Sequence, residues 1–359
     1  MAGILAMQQA PAVLAQARVV IGQSAPMTGS NAAFGRAIVA GARAWFTRHN
    51  RGANITVDHV VLDDGNEATR SGPNGGALIE RGAAVLFGFA SATLSLPALP
   101  AAKAAGVPLF APFTGAAVIH DARDPLIFTA RASYAAEAAR FVQVLRGFGV
   151  TRVSVIHFGD RVGNENRDVV VAEAERAQMK ATAFATERNK PVVESLIQRL
   201  MSEKPQAIVF TTSAAPTADI IQRAKAAGMS NSVFRVTLSF VGPSQIQQLL
   251  GKAAAGLVVS YVVPRPWSAE PIVLEHLAAM RAIGTEGPTF TSLESYMAAK
   301  ALTTAISRAN ATSPAAIVRA LESLDLDLGG YRLRYSPTNH NGSNYIDYMI
   351  LGVDFVLGN

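Results

Sequence analysis

The chain contains no cysteine, so disulfides, thiolate metal ligands and cysteine nucleophiles are all excluded. Its histidines are scattered, and no two of them have the HxxH or HExxH spacing of a zinc site. Charged residues make up only 16% of the chain, and the net charge of +6 is spread along it without a basic run. Nucleic-acid recognition is therefore disfavoured, and we expect neither a metal nor another cofactor.

Long apolar runs are also lacking beyond the N-terminus, where no segment approaches the roughly 20 unbroken apolar residues of a membrane span. Residues 1–17 are apolar and alanine-rich and end in Ala15-Gln16-Ala17. This ending fits the small-x-small cleavage site of a secretory signal, although the positive region that should precede it is missing. We expect a signal remnant over 1–17 and a secreted mature chain that begins at Arg18. A helical N-terminal arm is the alternative.

Hydrophobic residues make up 50% of the chain, which is enough for two cores at this length. Strand-like runs lie at 18–24, 55–63, 83–88, 107–111, 153–158, 180–186, 207–212, 232–238, 257–263, 331–335 and 345–351. Helical patterns separate many of them, at 33–49, 134–147, 164–178 and 192–202, with two more between 268 and 321. This alternation predicts an α/β fold of two doubly wound lobes with parallel sheets. A single eight-fold barrel is the alternative.

Small polar loops follow several of the predicted strands. In the segment 19–41 a β-branched run breaks into a Gly/Ser/Thr loop that opens a helix, and similar loops follow at 89–93 and 111–116. Unpaired N–H groups and the positive end of the helix dipole meet at such a loop. Because the carboxyl ends of parallel strands share one edge of a sheet, the loops should line one crevice that binds an anion.

Six segments carry a family resemblance when they are taken together: GQSAPMTGSNAAFG, VVLDDGNEATR, ALIERGAAVLFGFASATLSLPALPAAKAAGVPLFAPFTGA, IFTARASYAAEAARFVQVL, PQAIVFTTSAAPTADIIQRAKAAG and ALESLDLDLGGYRLRYSPTNHNGS. In this order they resemble the extracellular solute-binding proteins of ABC importers, of the branched-chain amino acid (Leu/Ile/Val) binding type. The resemblance covers 18–359 and implies the type I periplasmic binding fold, with two Rossmann-like lobes joined by three hinge crossings near Arg131, Val262 and Ser336. The lobes would comprise 18–130 plus 263–335 and 131–262 plus 336–359.

The resemblance also implies binding residues in the first lobe. The family's carboxylate-binding serine falls on Ser91, which Ala92 and Thr93 follow. A hydroxyl at a helix start can donate to a carboxylate, and N-capping of the helix is its alternative role. The family's second loop and its aromatic cover fall on Phe113, Thr114, Gly115 and Phe34. A plain turn and core packing are the respective alternatives.

In the second lobe the family usually has a tyrosine before the glycine that here is Gly163, and this chain has Val162. We place further ligand contacts at Tyr134, Thr212, Ser239 and Phe240, although Tyr134 could instead pack at a helix start. None of these residues is acidic. Asp160 is the nearest candidate carboxylate to pair with an ammonium group, and a plain surface-loop carboxylate is its alternative role.

Two other charged sites have structural explanations. Arg131 fits a hinge salt bridge better than a ligand contact. The pair Asp63-Asp64 invites an acid/base or metal interpretation, but helix capping by Asp64 with Glu67 accounts for it.

These observations favour a periplasmic, monomeric binding protein that delivers a small solute to the permease subunits of an ABC importer in the inner membrane. A ligand-sensing regulatory subunit with the same fold is the alternative. The sequence shows neither GxSxG after a strand nor GxGxxG, so we do not expect an enzyme. A carboxylate on an aromatic or aliphatic body fits the hydroxyls and rings better than a zwitterion, whose buried ammonium needs a counter-charge.

Overall fold

The computed structural model describes residues 16–29, 31–120, 124–188, 190–285 and 287–352. The strands are β1 Ala17–Ala25, β2 Ile55–Asp63, β3 Ala83–Phe87, β4 Leu109–Phe110, β5 Ile127–Phe128, β6 Arg152–Phe158, β7 Lys180–Thr186, β8 Ala207–Thr211, β9 Phe234–Thr237, β10 Leu257–Tyr261, β11 Asp325–Asp327, β12 Arg332–Arg334 and β13 Asp347–Ile350. The helices are α1 Ala32–His49, α2 Ala68–Glu80, α3 Ala92–Ser95, α4 Leu99–Ala105, α5 Ala117–His120, α6 Tyr134–Gly147, α7 Arg161–Arg176, α8 Glu194–Ser202, α9 Ala214–Ala226, α10 Pro243–Leu250, α11 Pro271–Ala282, α12 Phe290–Ala309 and α13 Pro314–Glu322.

The first sheet has the order β2-β1-β3-β4-β5, and all its neighbours are parallel. Every residue of β3 is buried, because helices cover both faces. Val85 and Phe87 pack with α1, α12 and α13, whereas Leu86, between them, packs with α2 and α4. Successive side chains of a strand point to opposite faces, so one apolar run serves two helix layers.

The second sheet has the order β13-β10-β9-β8-β6-β7 and is parallel except for β13, which runs antiparallel to β10. In β8, Ala207 and Val209 join the core formed with α6 and α7, whereas Ile208 and Phe210 join the core formed with α8, α9 and α10. Helices therefore cover both faces of this sheet as well.

The path of the chain joins the two sheets three times. It leaves the first sheet after β5 and returns after β10, where α11, α12, α13 and the hairpin β11-β12 join the core of the first sheet. It then enters the second sheet again as β13. Two open sheets confirm the predicted doubly wound fold and exclude the barrel. The division at Arg131, Val262 and Ser336 stays a prediction.

Some predicted elements differ from those observed. The region 268–321 contains three helices rather than two. Gly284 and Gly287 separate α11 from α12, which Thr289 caps, and the left-handed Asn310 ends α12 before Pro314 begins α13. The predicted run at 107–111 forms only the two paired residues of β4, and the short β5 was not predicted.

Most of the predicted signal, 1–17, lies outside the described residues, which begin with Gln16 and Ala17. Ala17 already belongs to β1 and pairs with Ile55. Within the described ranges, no helix is both long enough and apolar enough to cross a bilayer.

Candidate functional site

A cleft of about 400 Å³ lies between the two sheets, at the carboxyl ends of their strands. The loops after β1, β2, β3 and β4 form one wall, and the loops after β6, β7, β8 and β9 form the other. This is the place where ligands bind in open parallel sheets. Of the predicted binding residues, those on the wall of the cleft are Phe34, Ser91, Ala92, Thr93, Phe113, Thr114, Tyr134, Val162 and Phe240.

Ser91 both caps a helix and lines the cleft. Its Oγ accepts a hydrogen bond from the Leu94 N–H at 3.2 Å, so it is the N-cap of α3. Because that bond uses the oxygen as an acceptor, the hydroxyl hydrogen is still available to a ligand. The first N–H groups of a helix also have no partner within the helix. The two roles that the sequence left as alternatives are therefore compatible at Ser91.

The loop after β4 is tied to the Ser91 loop and to the second lobe. The Phe113 N–H donates to the Phe89 carbonyl at 2.8 Å, and the Tyr134 N–H donates to the Gly115 carbonyl at 2.8 Å. A Cβ on Gly115 would lie 2.7 Å from Tyr134. Gly115 is buried and does not line the cleft, and its small size lets α6 begin against this loop. Thr114 also lines the cleft, and its Oγ1 accepts from the Ala116 N–H at 3.2 Å.

Aromatic rings cover much of the cleft. Phe34 and Phe113 meet edge to face with their centroids 6.0 Å apart, and Tyr134 and Phe240 lie 5.3 Å apart. Phe158, at the end of β6, adds a fifth ring. Burial raises the pKa of the Tyr134 phenol, so this side chain stays neutral. The site therefore offers an apolar enclosure beside the hydroxyls.

The loop after β8 presents different residues from those predicted. Thr212 is fully buried, and its hydroxyl pairs with that of Thr217 at 2.9 Å. Its neighbours Thr211 and Ser213 line the cleft instead. The Ser213 side chain makes no capping bond at the start of α9. The prediction that Thr212 lines the cleft is therefore wrong, and the residues before and after it do so instead. Neighbouring side chains of this segment point in opposite directions.

Ser239 does not line the cleft, because its polar groups face the interior. Its N–H and its hydroxyl donate to the Glu137 carboxylate at 2.8 and 2.7 Å, and its Oγ accepts from Arg131. Arg131 also lies 3.6 Å from Glu294 and is 2% exposed. Arg131 is thus a salt-bridge residue, as predicted, and Ser239 belongs to the same buried network, so only Phe240 of this loop reaches the cleft.

Charged residues of the second wall were missed at the sequence level. The lining includes Glu187, Arg188, Lys190 and Asp219. Glu187 pairs with Lys190, and Asp219 pairs with the Arg223 Nε at 2.8 Å. No sequence signal marked these residues, because they follow strand β7 or lie on α9 without a motif. Asn31, Asn66, Asn166 and Gln245 also line the cleft.

Asp160 is not free to meet an ammonium group. It is the N-cap of α7, accepting from the Gly163 N–H at 2.8 Å, and its other oxygen accepts from the Arg188 Nε at 2.8 Å. Burial alone would raise the pKa of Asp160, but the hydrogen bonds and the charge of Arg188 lower it overall. Asp160 is therefore an ionised partner of Arg188, and it is not among the residues that line the cleft.

The pair Asp63-Asp64 organises a loop rather than capping α2. Asp63 accepts from the Met27, Thr28 and Gly65 N–H groups at 2.9 to 3.2 Å. Asp64 accepts from the Asn66 N–H and from a buried serine hydroxyl. The residue at the start of α2, Glu67, makes no side-chain capping bond. The predicted capping by Asp64 with Glu67 is wrong, because the carboxylates of Asp63 and Asp64 accept hydrogen bonds from loop N–H groups that precede α2.

Within the part of the chain that the structure describes, no three His, Asp or Glu side chains are grouped to hold a metal ion.

A family model described as periplasmic binding protein matches residues 18–351. A search of curated proteins found no match. Among solved structures, a possible leucine/isoleucine/valine-binding protein from Rhodopirellula baltica is 26% identical, with a TM-score of 0.87 over 94% of this chain and 95% of that one.

Two further solved structures are similar along nearly their whole length. A substrate-binding periplasmic protein from Ralstonia solanacearum is 28% identical, with a TM-score of 0.86 over 94% of this chain and 98% of that one. A solute-binding protein of an ABC transporter from Rhodopseudomonas palustris, in complex with 3,4-dihydroxybenzoic acid, is 18% identical, with a TM-score of 0.81 and 93% coverage of each chain. This last likeness concerns the fold.

Proposed function

The chain belongs to the periplasmic binding protein family, and we propose that it captures a small organic acid between its lobes and delivers it to the permease of an ABC importer. Its relatives are solute-binding proteins rather than enzymes. The observation that carries the proposal is the cleft in which Ser91 and Thr114 stand beside five aromatic rings.

The first lobe would hold the carboxylate of the solute. The hydroxyl-bearing residues Ser91, Thr93 and Thr114 line one wall, where α3 begins. Hydrogen bonds to an ionised acceptor are about twice as strong as neutral ones. A carboxylate at this wall would therefore gain several strong bonds without a buried cation.

The second lobe offers no free carboxylate for an ammonium group. Within the described residues, Asp160, Glu187 and Asp219 each pair with a basic side chain, and Val162 stands where a tyrosine is usual. An unpaired ammonium buried in the closed cleft would cost several kcal/mol. These features favour an aromatic or aliphatic acid over leucine, isoleucine or valine, even though one of the similar structures is a possible binding protein for those amino acids.

A thermal-shift panel tests this proposal. Purified protein is melted with benzoate, 4-hydroxybenzoate and hexanoate, and separately with leucine, isoleucine and valine. We expect the acids to raise the melting temperature, because a ligand that binds only the folded state stabilises it. Native mass spectrometry of protein purified without added ligand provides an independent identification of any bound solute.

Two results would contradict this proposal. Strong stabilisation by the branched-chain amino acids together with no shift from any acid would contradict the organic-acid assignment. Rapid chemical turnover of a bound acid would contradict a transport role and require an enzyme instead.

A further inference from the structure

Arg188 is the one arginine on the cleft wall among the described lining residues. It follows β7, its side chain is 35% exposed, and its guanidinium carbon lies 3.9 Å from the centre of the Phe158 ring. Stacking on this ring fixes the plane of the guanidinium. Arg188 therefore presents a fixed, charged group to the cleft from the second lobe.

The hydrogen bonds of Arg188 leave most of its donors unused. The Nε donates to Asp160 Oδ2 at 2.8 Å, and Asp160 is itself held by the Gly163 N–H at 2.8 Å. Among the described residues, the two terminal nitrogens of Arg188 make no hydrogen bond. A guanidinium carries five N–H donors in a planar fork that matches a carboxylate. Four of these donors are therefore available to a ligand.

Neighbouring charges do not compete for these donors. Glu187 pairs with Lys190, and Asp219 pairs with Arg223. Asp160 is not among the residues that line the cleft, and it accepts only from the Nε of Arg188, so it orients the guanidinium without pairing with its terminal nitrogens. The cleft thus has hydroxyl-bearing residues on its first-lobe wall and an oriented cation on its second-lobe wall.

We propose that Arg188 binds a second carboxylate of the solute, which makes the preferred ligand a dicarboxylic acid with an apolar or aromatic body. This inference rests on the proposed function, because Ser91 and its neighbours must hold the first carboxylate. One carboxylate bonds to each lobe, and the body lies among the aromatic rings. Such a solute bridges the two walls, so its second charge contributes to closure as well as to affinity.

Titration calorimetry with matched ligand pairs tests the inference. Hexanoate is compared with adipate, and 4-methylbenzoate with terephthalate, so that each pair differs in the second carboxylate. We expect the dicarboxylate to bind at least about 10-fold more tightly in each pair, as for a hydrogen bond to a charged group. This comparison uses the unmodified protein and does not depend on a variant that folds.

Three variants locate the effect. Arg188→Gln should weaken dicarboxylate binding by about 10- to 100-fold and change monocarboxylate binding by less than about 3-fold. Arg188→Lys should give an intermediate affinity, because it keeps the charge and loses the fork. Arg199→Gln is the matched control, since Arg199 lies 5.5 Å from the Phe184 ring in the same lobe but outside the cleft; it should change neither affinity.

The possible failures are distinguishable. Equal affinities within each ligand pair, or an equal loss for both ligands in Arg188→Gln, would overturn the role of Arg188 while monocarboxylate binding still supports the proposed function. Binding of branched-chain amino acids without binding of any acid would overturn the proposed function itself.

Discussion

Arg131 and Glu294 form a buried ion pair beside the first crossing between the lobes. The Arg131 Nε lies 3.6 Å from Glu294 Oε1, and the two side chains are 2% and 11% exposed. Glu294 lies on α12 in the first lobe, whereas the same guanidinium donates to Ser239, which bonds to Glu137 on α6 of the second. One side chain therefore joins the polar networks of both lobes.

The first prediction concerns this pair. Glu294→Gln should lower the free energy of unfolding by about 3–5 kcal/mol, because Arg131 would keep its buried charge without its partner. The control is Arg332→Gln, which breaks an exposed pair with Asp325 and should cost less than about 1 kcal/mol. Urea denaturation measures both. Similar losses for the two variants would show that the buried pair has no special weight.

The second prediction separates binding from capping at Ser91. Ser91→Ala should lower affinity for the solute about 10- to 150-fold, because a bond to a charged group is worth roughly 1.5–3 kcal/mol. Ser133→Ala is the matched control, since Ser133 caps α6 through the Ala136 N–H at 3.1 Å and does not line the cleft. Both variants should lose about 1 kcal/mol of stability. Unchanged affinity in Ser91→Ala would place the ligand elsewhere.

The third prediction concerns closure of the lobes. A saturating ligand should lower the radius of gyration slightly in small-angle scattering, because the lobes rotate as rigid bodies about three short crossings. The far-ultraviolet circular dichroism spectrum should stay the same, since no helix or strand unfolds. Identical scattering with and without a ligand that calorimetry shows to bind would argue against closure.

The fourth prediction concerns acid stability. Burial lowers the pKa of His276 to about 3 and, with a smaller effect of the charge of Arg131, that of His120 to about 4. The unfolded chain titrates these groups near pH 6.5, so it binds more protons than the folded state below that pH. The contribution of these two histidines to the free energy of unfolding is therefore fully present above about pH 6.5. It falls as the pH drops toward 4, by up to about 1.4 kcal/mol per pH unit for each histidine.

A substitution tests this origin of the acid sensitivity. His276→Phe removes a titrating ring that packs edge to face on Tyr296, 5.2 Å away, and it keeps an aromatic ring there. The slope of unfolding free energy against pH between 6 and 4.5 should decrease relative to the unmodified protein, whatever the stability at pH 7.5. An unchanged slope would assign the proton uptake to other groups.

The fifth prediction concerns processing. If Ala15-Gln16-Ala17 is cleaved, the mature protein from the native host should begin at Arg18, which mass spectrometry of the intact chain detects. Removal of Ala17 shortens β1 by only its first residue, so the fold should be retained. An intact Met1 or Ala2 in the cytosolic fraction would favour a regulatory sensor over an importer subunit.

Local sequence patterns were sufficient for most of the fold. The runs predicted at 55–63 and 180–186 coincide with β2 and β7, and the helix predicted at 134–147 coincides with α6. Very short strands such as β5, at the edge of the first sheet, carry too few residues to show a pattern. The helix α2 was not singled out because its sequence contains Pro73 and several glycines, and its contacts with β1 and β3 outweigh that low propensity.

The sequence by itself determined which loops form the site, because apolar runs set where parallel strands end and all such ends meet at one edge. Within those loops, the family resemblance named Phe34, Ser91 and Thr114 as binding residues. Only the tertiary structure decided which side chain of a loop faces the cleft, as at Thr211, Thr212 and Ser213. The tertiary structure also decided which charged side chains form ion pairs. The pairing of Arg188 with Asp160 and of Arg131 with Glu294 joins residues that are distant along the chain, and folding alone brings them together.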